Sequence, residues 1–253
     1  MSTIPVSYAA TAETERISSA ATPTVFQAAG PTAASIQSTV DAFRAALGSP
    51  VNANNPGPLI NGRREINWDG GNPAIVATTD PVTPFNVFLN TRGAQFTTPG
   101  KGLSQATPAG LAVLFSNPTY ANIFATFSPS RLFTAVGSRV TNGSFFIPGT
   151  NGISPAVVSG FGVVFTDVDQ QGGDKDASTR IEYFDIHGRR VFQSVIPASP
   201  GDGSLSFLGI KFNDARIASI RITTDHAAGP NDTDDNDIVM MDDFIYGEPQ
   251  AGH

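Results

Sequence analysis

The sequence contains no cysteine, and this absence removes several classes of chemistry at once. Disulfide bonds, thiolate metal sites and cysteine nucleophiles are excluded, while the compartment stays open because many exported β proteins also lack cysteine. Histidine is scarce too, and His187, His226 and His253 have none of the i, i+2 or i, i+4 spacings of a metal-binding pair. The sequence therefore predicts neither thiol chemistry nor a histidine pair at a metal.

Lysine is as scarce as histidine. Of the 15 basic residues only three are lysines, namely Lys101, Lys175 and Lys211, and the others are arginines. These bases are outnumbered by 22 acidic residues, which gives a net charge of −7. No basic stripe along the sequence is available to follow a phosphate backbone. Nucleic acid is therefore not an expected partner.

Long apolar runs are also missing. No segment approaches the roughly 18 apolar residues of a membrane span, so none is expected. The N-terminal stretch MSTIPVSYAATAETERISSAA has neither the basic region nor the apolar run of a signal peptide. Few lysines together with many Gly, Thr, Ser, Asn and Pro residues are nevertheless typical of exported β proteins. We therefore expect an extracellular or cell-surface protein whose export signal was removed or is not included in this sequence.

The N-terminal part predicts an arm followed by one helix. Residues 1–30 are rich in Ala, Thr and Ser, and they predict a flexible or loosely packed arm. Residues 31–50 predict an amphipathic helix that packs on a sheet, because Thr32 or Ser35 can begin it and Gly48 can end it. The apolar positions at helical spacing are Ile36, Val40, Phe43 and Leu47.

Residues 51–248 predict a single β-sandwich domain, and residues 249–253 a short tail. Apolar or alternating runs such as GLAVLF, SRVTNGSFFIPGT, SGFGVVFTDVD, SLSFLGIKF and ARIASIRITTD are separated by Gly, Asn and Pro. In the C-terminal half these runs recur about every ten residues, whereas a parallel α/β sheet needs helices between its strands. We therefore predict an all-β fold, an antiparallel β-sandwich or jelly roll with one N-terminal amphipathic helix.

The order GFGVVFTDVD, IEYFDIHGRRVF, LSFLGIKF, IASIRITT and VMMDDFIYGE resembles the β-sandwich domains of uncharacterised bacterial exported proteins, including those anchored by PEP-CTERM sorting signals. The closing MDDFIYG also resembles the last strand of jelly-roll carbohydrate-binding modules. In those modules a calcium ion often joins an early strand to the last one. The resemblance covers roughly residues 135–248 and implies that Asp242 is a calcium ligand, with Glu65 as the candidate from the early strand.

The stretch NDTDDNDIVMMDDFIYGE carries six aspartates and a glutamate without any basic residue. Asp232, Asp234 and Asn236 occupy positions 1, 3 and 5 of a calcium loop whose position 12 is Asp243. A true EF-hand is rejected, because Asp237 occupies the position of the required glycine and the flanking segments predict strands. Carboxylates this dense repel one another unless a hard cation or solvent screens them. A calcium site and a solvated acidic loop both remain open.

Two other acidic groups have a geometry suited to metal binding. Asp167 and Asp169 follow a strand and are expected to point the same way, although a turn cap explains them equally well. In REINWDGG, Glu65, Asn67 and Asp69 alternate onto one face while Trp68 lies on the other, and a plain polar face is the alternative. The candidate metal ligands from the sequence are Asp242, Asp243, Asp167, Asp169, Glu65, Asp232, Asp234 and Asp237.

Catalytic signatures are not evident, because no G-x-S-x-G element is present and the spacing of carboxylates in sequence does not set their separation in space. A sugar-binding surface needs exposed aromatic side chains, and Tyr120, Tyr183 and Tyr246 are the candidates, with packing in the core or at an edge as the alternative. We predict an extracellular binding or structural module stabilised by calcium, with a polysaccharide or the extracellular matrix as partner. Two alternatives stay open: a polysaccharide-active hydrolase or lyase on a jelly roll, and a self-assembling subunit whose N-terminal arm docks on a second copy.

Overall fold

The computed structural model describes residues 21–70, 80–170, 178–230 and 237–252. Within these ranges the strands are β1 (Thr24–Gly30), β2 (Arg63–Ile66), β3 (Ala94–Thr97), β4 (Gly102–Ala106), β5 (Leu132–Val136), β6 (Val140–Phe145), β7 (Ala156–Val157), β8 (Gly160–Thr166), β9 (Arg180–Phe184), β10 (Arg190–Val195), β11 (Leu205–Lys211), β12 (Ser219–Thr223), β13 (Met240–Gly247) and β14 (Gln250–Ala251). The helices are α1 (Ala33–Leu47), α2 (Leu89–Arg92), α3 (Pro108–Leu114) and α4 (Tyr120–Ile123).

Two antiparallel sheets form a sandwich, which confirms the predicted all-β class. The large sheet has the order β1-β11-β8-β13-β5-β4, and β2 also pairs with β13. The small sheet has the order β10-β9-β12-β6-β3, while β14 and β7 form a separate pair. The core between the sheets is built from alternate residues of each strand, such as Phe161, Val163 and Phe165 of the large sheet and Ile220 and Ile222 of the small one.

Helix α1 covers the outer face of the large sheet, as its apolar spacing predicts. Its four apolar residues are buried against Val164, Phe207 and other side chains of β8, β11 and β13. Gly162 and Gly209 lie beneath Phe43, and a Cβ atom added at Gly162 would lie 2.8 Å from the Phe43 ring. The two glycines therefore let the helix approach the sheet closely.

Several segments differ from the sequence-based expectation, and residues 250–251 of the predicted tail form β14. Residues 24–30 of the predicted flexible arm form β1, which pairs with β11 along its whole length from Thr24 to Gly30. The run GLAVLF, predicted as a strand, belongs instead to α3, whose start is set by Pro108 at the first helical position and by Thr107, which accepts a hydrogen bond from the Gly110 amide. A short apolar run alone does not distinguish a strand from a helix. Here Thr107 as N-cap and Pro108 favour the helix.

Strand β13 carries a β-bulge. Met241 pairs with Phe165 and Phe244 pairs with Val163, so three steps along β13 match two steps along β8. The extra residue places Met241 and Phe244 in the same core between the sheets, although an odd separation in a regular strand would put them on opposite faces. In the described part of the chain, no helix has the length and apolar character needed to cross a membrane.

Candidate functional site

The bulge in β13 brings the predicted ligands Asp242 and Asp243 to the same side of the strand. In a regular strand adjacent side chains point to opposite faces, but both carboxylates here contact Ser128. The Ser128 Oγ donates to Asp243 Oδ1 at 2.6 Å and lies 3.4 Å from Asp242 Oδ1. Both aspartates are buried. A tertiary feature, the bulge, thus creates a pair of carboxylates that strand periodicity does not predict.

One loop, residues 125–131, covers these carboxylates and joins them to Asp69. The Phe127 amide donates to Asp242 Oδ2 at 2.6 Å, and the amides of Ser130 and Arg131 donate to Asp69 Oδ1. Ser128 Oγ also lies 3.5 Å from Asp69 Oδ2. We call Asp69, Asp242, Asp243 and Ser128 the carboxylate cluster. It connects the end of β2, the bulge of β13 and the covering loop.

Arg44 contacts the cluster at Asp243. Arg44 of α1 places Nη2 at 3.0 Å from Glu65 Oε2 and at 3.3 Å from Asp243 Oδ2. Arg63 Nε lies 2.6 Å from Glu65 Oε1. Both carboxylate oxygens of Glu65 are therefore bound by guanidinium groups, and Glu65 holds Arg44 in position beside Asp243.

Negative charge on the carboxylates of this cluster is energetically unfavourable. Burial raises the pKa of Asp242 well above its usual range, and the neighbouring charge of Asp243 raises it further. Burial also raises the pKa of Asp243, opposed by its hydrogen bond from Ser128 and by Arg44, and burial raises that of Asp69. A bound proton or a cation relieves this cost, because either one offsets carboxylate repulsion in a desolvated site.

The chemistry of the cluster suits a hard cation, since its donors are all oxygens. Within the described residues, however, no three His, Cys, Asp or Glu side chains are arranged so that they could hold a metal ion. The carboxylates of Asp69 and Asp242 instead accept backbone amides, as above. Holding a calcium ion would require these oxygens to turn toward a shared point.

A second acidic group lies beyond the end of β8. Asp237 accepts the amides of Asp169 and Gln170, each at 3.3 Å, and Asp169 Oδ1 accepts the Gly201 amide at 2.8 Å. Asp167 has a φ of 67°, so the extended geometry that was expected to align Asp167 with Asp169 ends at Thr166. Burial raises the pKa of Asp237 to about 6. The candidates Asp232 and Asp234 lie outside the described residues.

The three tyrosines predicted as sugar platforms are buried, so that prediction is wrong. Tyr120 donates its hydroxyl hydrogen to the Gly229 carbonyl at 2.9 Å, and Tyr246 donates to the Arg92 carbonyl at 3.0 Å. Tyr183 lies in the core between the sheets, with its hydroxyl 3.4 Å from the Phe161 carbonyl. Their rings supply apolar packing while their hydroxyls bond to backbone carbonyls, which is the usual arrangement for buried tyrosine.

The outward face of the small sheet carries a polar surface that the sequence reasoning missed. Cross-strand pairing aligns one residue from each of its five strands into a polar row: Gln193, Glu182, Arg221, Asn142 and Thr97. The Arg221 Nε atom donates to Asn142 Oδ1 at 3.2 Å. A groove of about 540 Å³ lies over part of this row. The alternation of Ile220 and Ile222 with Arg221 carries the signal in the sequence.

Comparisons with known proteins identify no family for this chain. No family model matches the chain, and no curated protein matches it. Among solved structures, it is similar to the enzymatically active domain of tailspike protein 4 of bacteriophage CBA120, with 16% sequence identity and a TM-score of 0.29. The match covers 72% of this chain and 23% of that chain. At this TM-score the likeness carries no inference about activity.

Proposed function

We propose that this protein is a non-catalytic binding module whose ligand is a polysaccharide lying across the outward face of the small sheet. The observation that supports the proposal is the polar row, which crosses all five strands. Four strand spacings of about 4.8 Å give it a length of roughly 19 Å. A surface of this length contacts several units of an extended chain at once.

The side chains of the polar row match the chemistry of sugar hydroxyls. Asn142 and Gln193 each offer both a donor and an acceptor, Thr97 offers a hydroxyl, and Arg221 only donates. Sugar hydroxyls themselves donate and accept, so alternating groups of this kind satisfy them without one fixed orientation. The carboxylates of Asp242 and Asp243, in contrast, are buried beneath the covering loop, which favours a binding role over hydrolysis or elimination.

We further propose that calcium stabilises the fold at the carboxylate cluster, with oxygens of Asp242, Asp243 and Asp69 turning from their present hydrogen bonds toward a shared ion. The support is the desolvation of three like charges and their all-oxygen environment. An ion there would bind only the folded chain and would fasten β2, β13 and the covering loop together. Acting outside the cell, where calcium is abundant, fits this role and the composition of the chain.

The assembly alternative receives no support from the described part of the arm. Residues 24–30 pair with β11 of the same chain, and Phe26 packs against α1, with its ring centroid 5.4 Å from that of Phe43. This segment is therefore used within the domain. Val25 is exposed on it, but a single exposed valine is ordinary on a protein surface and does not indicate a docking face.

A glycan array combined with a hydrolysis screen, with and without calcium, tests the binding proposal. We expect retention of polysaccharides without product formation, and reduced retention for Gln193→Ala and Asn142→Ala. Gln27→Ala is the matched control, because Gln27 is also an exposed glutamine on an edge strand but lies on the large sheet. Equal loss in all three variants, or release of oligosaccharide products, would count against the proposal.

A further inference from the structure

Three arginines that are far apart in the sequence line the groove on the small sheet. Arg139 precedes β6, Arg180 begins β9 and Arg221 lies in β12, and all three border the groove of about 540 Å³. Strand pairing brings Arg180 opposite Thr223, two residues from Arg221. The fold thus brings together three positive charges that are far apart in the sequence.

Among the described residues, Arg180 and Arg221 have no ion-pair partner, while Arg139 is only partly offset by the nearby Asp225 carboxylate. In the described ranges no carboxylate lies within ion-pair distance of Arg139, Arg180 or Arg221. Arg139 donates to the Asp225 carbonyl and Arg221 to the Asn142 amide oxygen, both uncharged acceptors. The one acid lining the groove, Glu182, is paired with Arg190 at 2.8 Å.

Arg180 also has an unsatisfied donor. Its Nη1 atom is shielded from solvent and has no hydrogen-bond partner in the described structure. A shielded guanidinium donor without a partner costs free energy, and an acceptor in the groove recovers that cost when the Arg180 side chain turns this donor toward it. Carboxylate and sulfate oxygens suit this role best, because guanidinium groups bind planar or branched anions through two parallel hydrogen bonds.

We propose, building on the proposed polysaccharide-binding function, that the ligand is an acidic polysaccharide whose carboxylate or sulfate groups bind Arg180, Arg221 and Arg139. The rest of the groove is lined mainly by hydroxyl and amide side chains, namely Thr97, Thr98, Thr223 and Asn142. Those groups fit the sugar hydroxyls between the anionic substituents. The expected ligand therefore carries both anionic groups and hydroxyl groups along a single sugar chain.

Nucleic acid fits the same groove less well. Single strands bind through bases stacked on aromatic side chains, but the nearby Phe184 ring is covered by Arg221, whose guanidinium carbon lies 5.9 Å from the ring centroid. The hydroxyl and amide side chains that line the groove also match the many ring hydroxyls of a sugar chain, whereas a deoxyribose-phosphate backbone offers few such groups.

Calorimetric titration with defined oligosaccharides tests the inference. The probes are oligogalacturonate, its methyl ester, a neutral oligoglucan and single-stranded DNA of similar length. We expect oligogalacturonate to bind at least tenfold more tightly than its methyl ester, with an affinity that falls as salt rises. Arg180→Gln and Arg221→Gln should each weaken this binding about tenfold, and Arg180→Lys, which keeps the charge but loses the planar fork, should weaken it less.

Arg216→Gln is the matched control, because it also removes one positive charge but lies in the loop between β11 and β12, paired with Asp214. Melting curves of each variant show whether the fold is intact. Equal binding of neutral and acidic sugars, unaffected by the arginine variants, would overturn the inference while leaving the binding function standing. DNA binding with the same arginine dependence would overturn it in favour of nucleic acid, and failure of every sugar to bind would overturn both proposals.

Discussion

Arg64 and Glu248 form a fully buried, bidentate ion pair between β2 and the residue that follows β13. Arg64 Nε lies 2.6 Å from Glu248 Oε2, and Nη2 lies 2.7 Å from Oε1. Asn52 donates to the same carboxylate at 2.8 Å, and the Arg64 Nη1 donates to the carbonyls of Ala53 and Asn55. The loop after α1 is thus folded around the pair.

Removing one member of this pair should destabilise the protein strongly. Glu248→Ala leaves a buried guanidinium uncompensated, and we expect it to lower the free energy of unfolding by about 3–5 kcal/mol. Urea denaturation followed by the fluorescence of Trp68, the only tryptophan, measures the change. Asp214→Ala breaks the exposed pair with Arg216 and should cost about 1 kcal/mol or less. Similar costs for the two variants would contradict the importance of burial.

Close packing of α1 on the large sheet gives a second prediction. Gly162→Ala places a Cβ atom 2.8 Å from both the Gly209 Cα and the Phe43 ring, so the helix and the paired strand β11 must both shift, at a cost of about 1–3 kcal/mol. Phe43→Ala empties the same contact and should cost about 3–5 kcal/mol. The double variant should cost less than the sum, because the small side chain makes room for the new methyl group.

The same urea denaturation experiment measures all three variants. Gly229→Ala is the control, since no atom outside its immediate neighbours lies within 4 Å of an added Cβ there. Strictly additive costs for Gly162→Ala and Phe43→Ala would show that the glycine is not needed for the approach of the helix.

Local sequence patterns predict the parts of the fold that depend on periodicity. The spacing of Ile36, Val40, Phe43 and Leu47 predicts α1, and the regular apolar runs predict the sandwich. Features that depend on pairing between distant segments are not predictable in this way. The bulge that turns Asp242 and Asp243 to one side, and the partner of β1, follow from register with β8 and β11 rather than from neighbouring residues.

Candidate site residues show the same limit. Alternation places Asp69 and Trp68 on opposite faces, as the structure has them, yet it does not reveal the covering loop that joins Asp69 to Asp242. The arginine groove is assembled from Arg139, Arg180 and Arg221 on three different segments. The exposure of a tyrosine in a strand is not predictable from the sequence, because it depends on which face the opposite sheet covers.

The raised pKa of Asp237 predicts a dependence of stability on pH. Its pKa rises from an ordinary 3.8 to about 6 because the carboxyl group is buried. Between about pH 4 and pH 6 the folded state therefore holds a proton that the unfolded state releases, so stability falls as pH rises through this window. Asp237→Asn keeps an acceptor for the amides of Asp169 and Gln170 but cannot ionise, so it should raise the melting temperature at pH 7 and flatten part of the decline.

Melting curves from pH 3.5 to 7.5, recorded with a chelator present, measure this effect. Asp214→Asn is the opposite control, because a hydrogen bond from Arg216 lowers the pKa of Asp214. Because the pKa of Asp214 is lower in the folded state, its ionised carboxylate stabilises the fold above the unfolded pKa, and this stabilisation is lost as the pH falls. Asp214→Asn should therefore slightly lower the stability at pH 7. A lower melting temperature for Asp237→Asn at pH 7 would sink the prediction.

Calcium should stabilise the protein through Asp242 if the carboxylate cluster binds the ion. At a calcium concentration a hundredfold above its dissociation constant, the free energy of unfolding should rise by about 2.7 kcal/mol, whereas sodium at equal ionic strength should not reproduce the gain. Asp242→Asn should abolish most of it, because the bulge places this carboxylate at the centre of the cluster. Chelation should lower the melting temperature of the unaltered protein.

Two further variants locate the ligands. Asp214→Asn, an exposed aspartate outside the cluster, should keep the full calcium effect. Changing Asp232, Asp234 and Asp237 together to Asn tests the acidic stretch before β13, and retention of the calcium-specific gain in this variant assigns the ligands to the cluster. Loss of the gain in the triple variant but not in Asp242→Asn would move the site to that stretch. Equal shifts with calcium and sodium would mean that the acids are only screened, because a specific site must distinguish a divalent cation from the same ionic strength of a monovalent one.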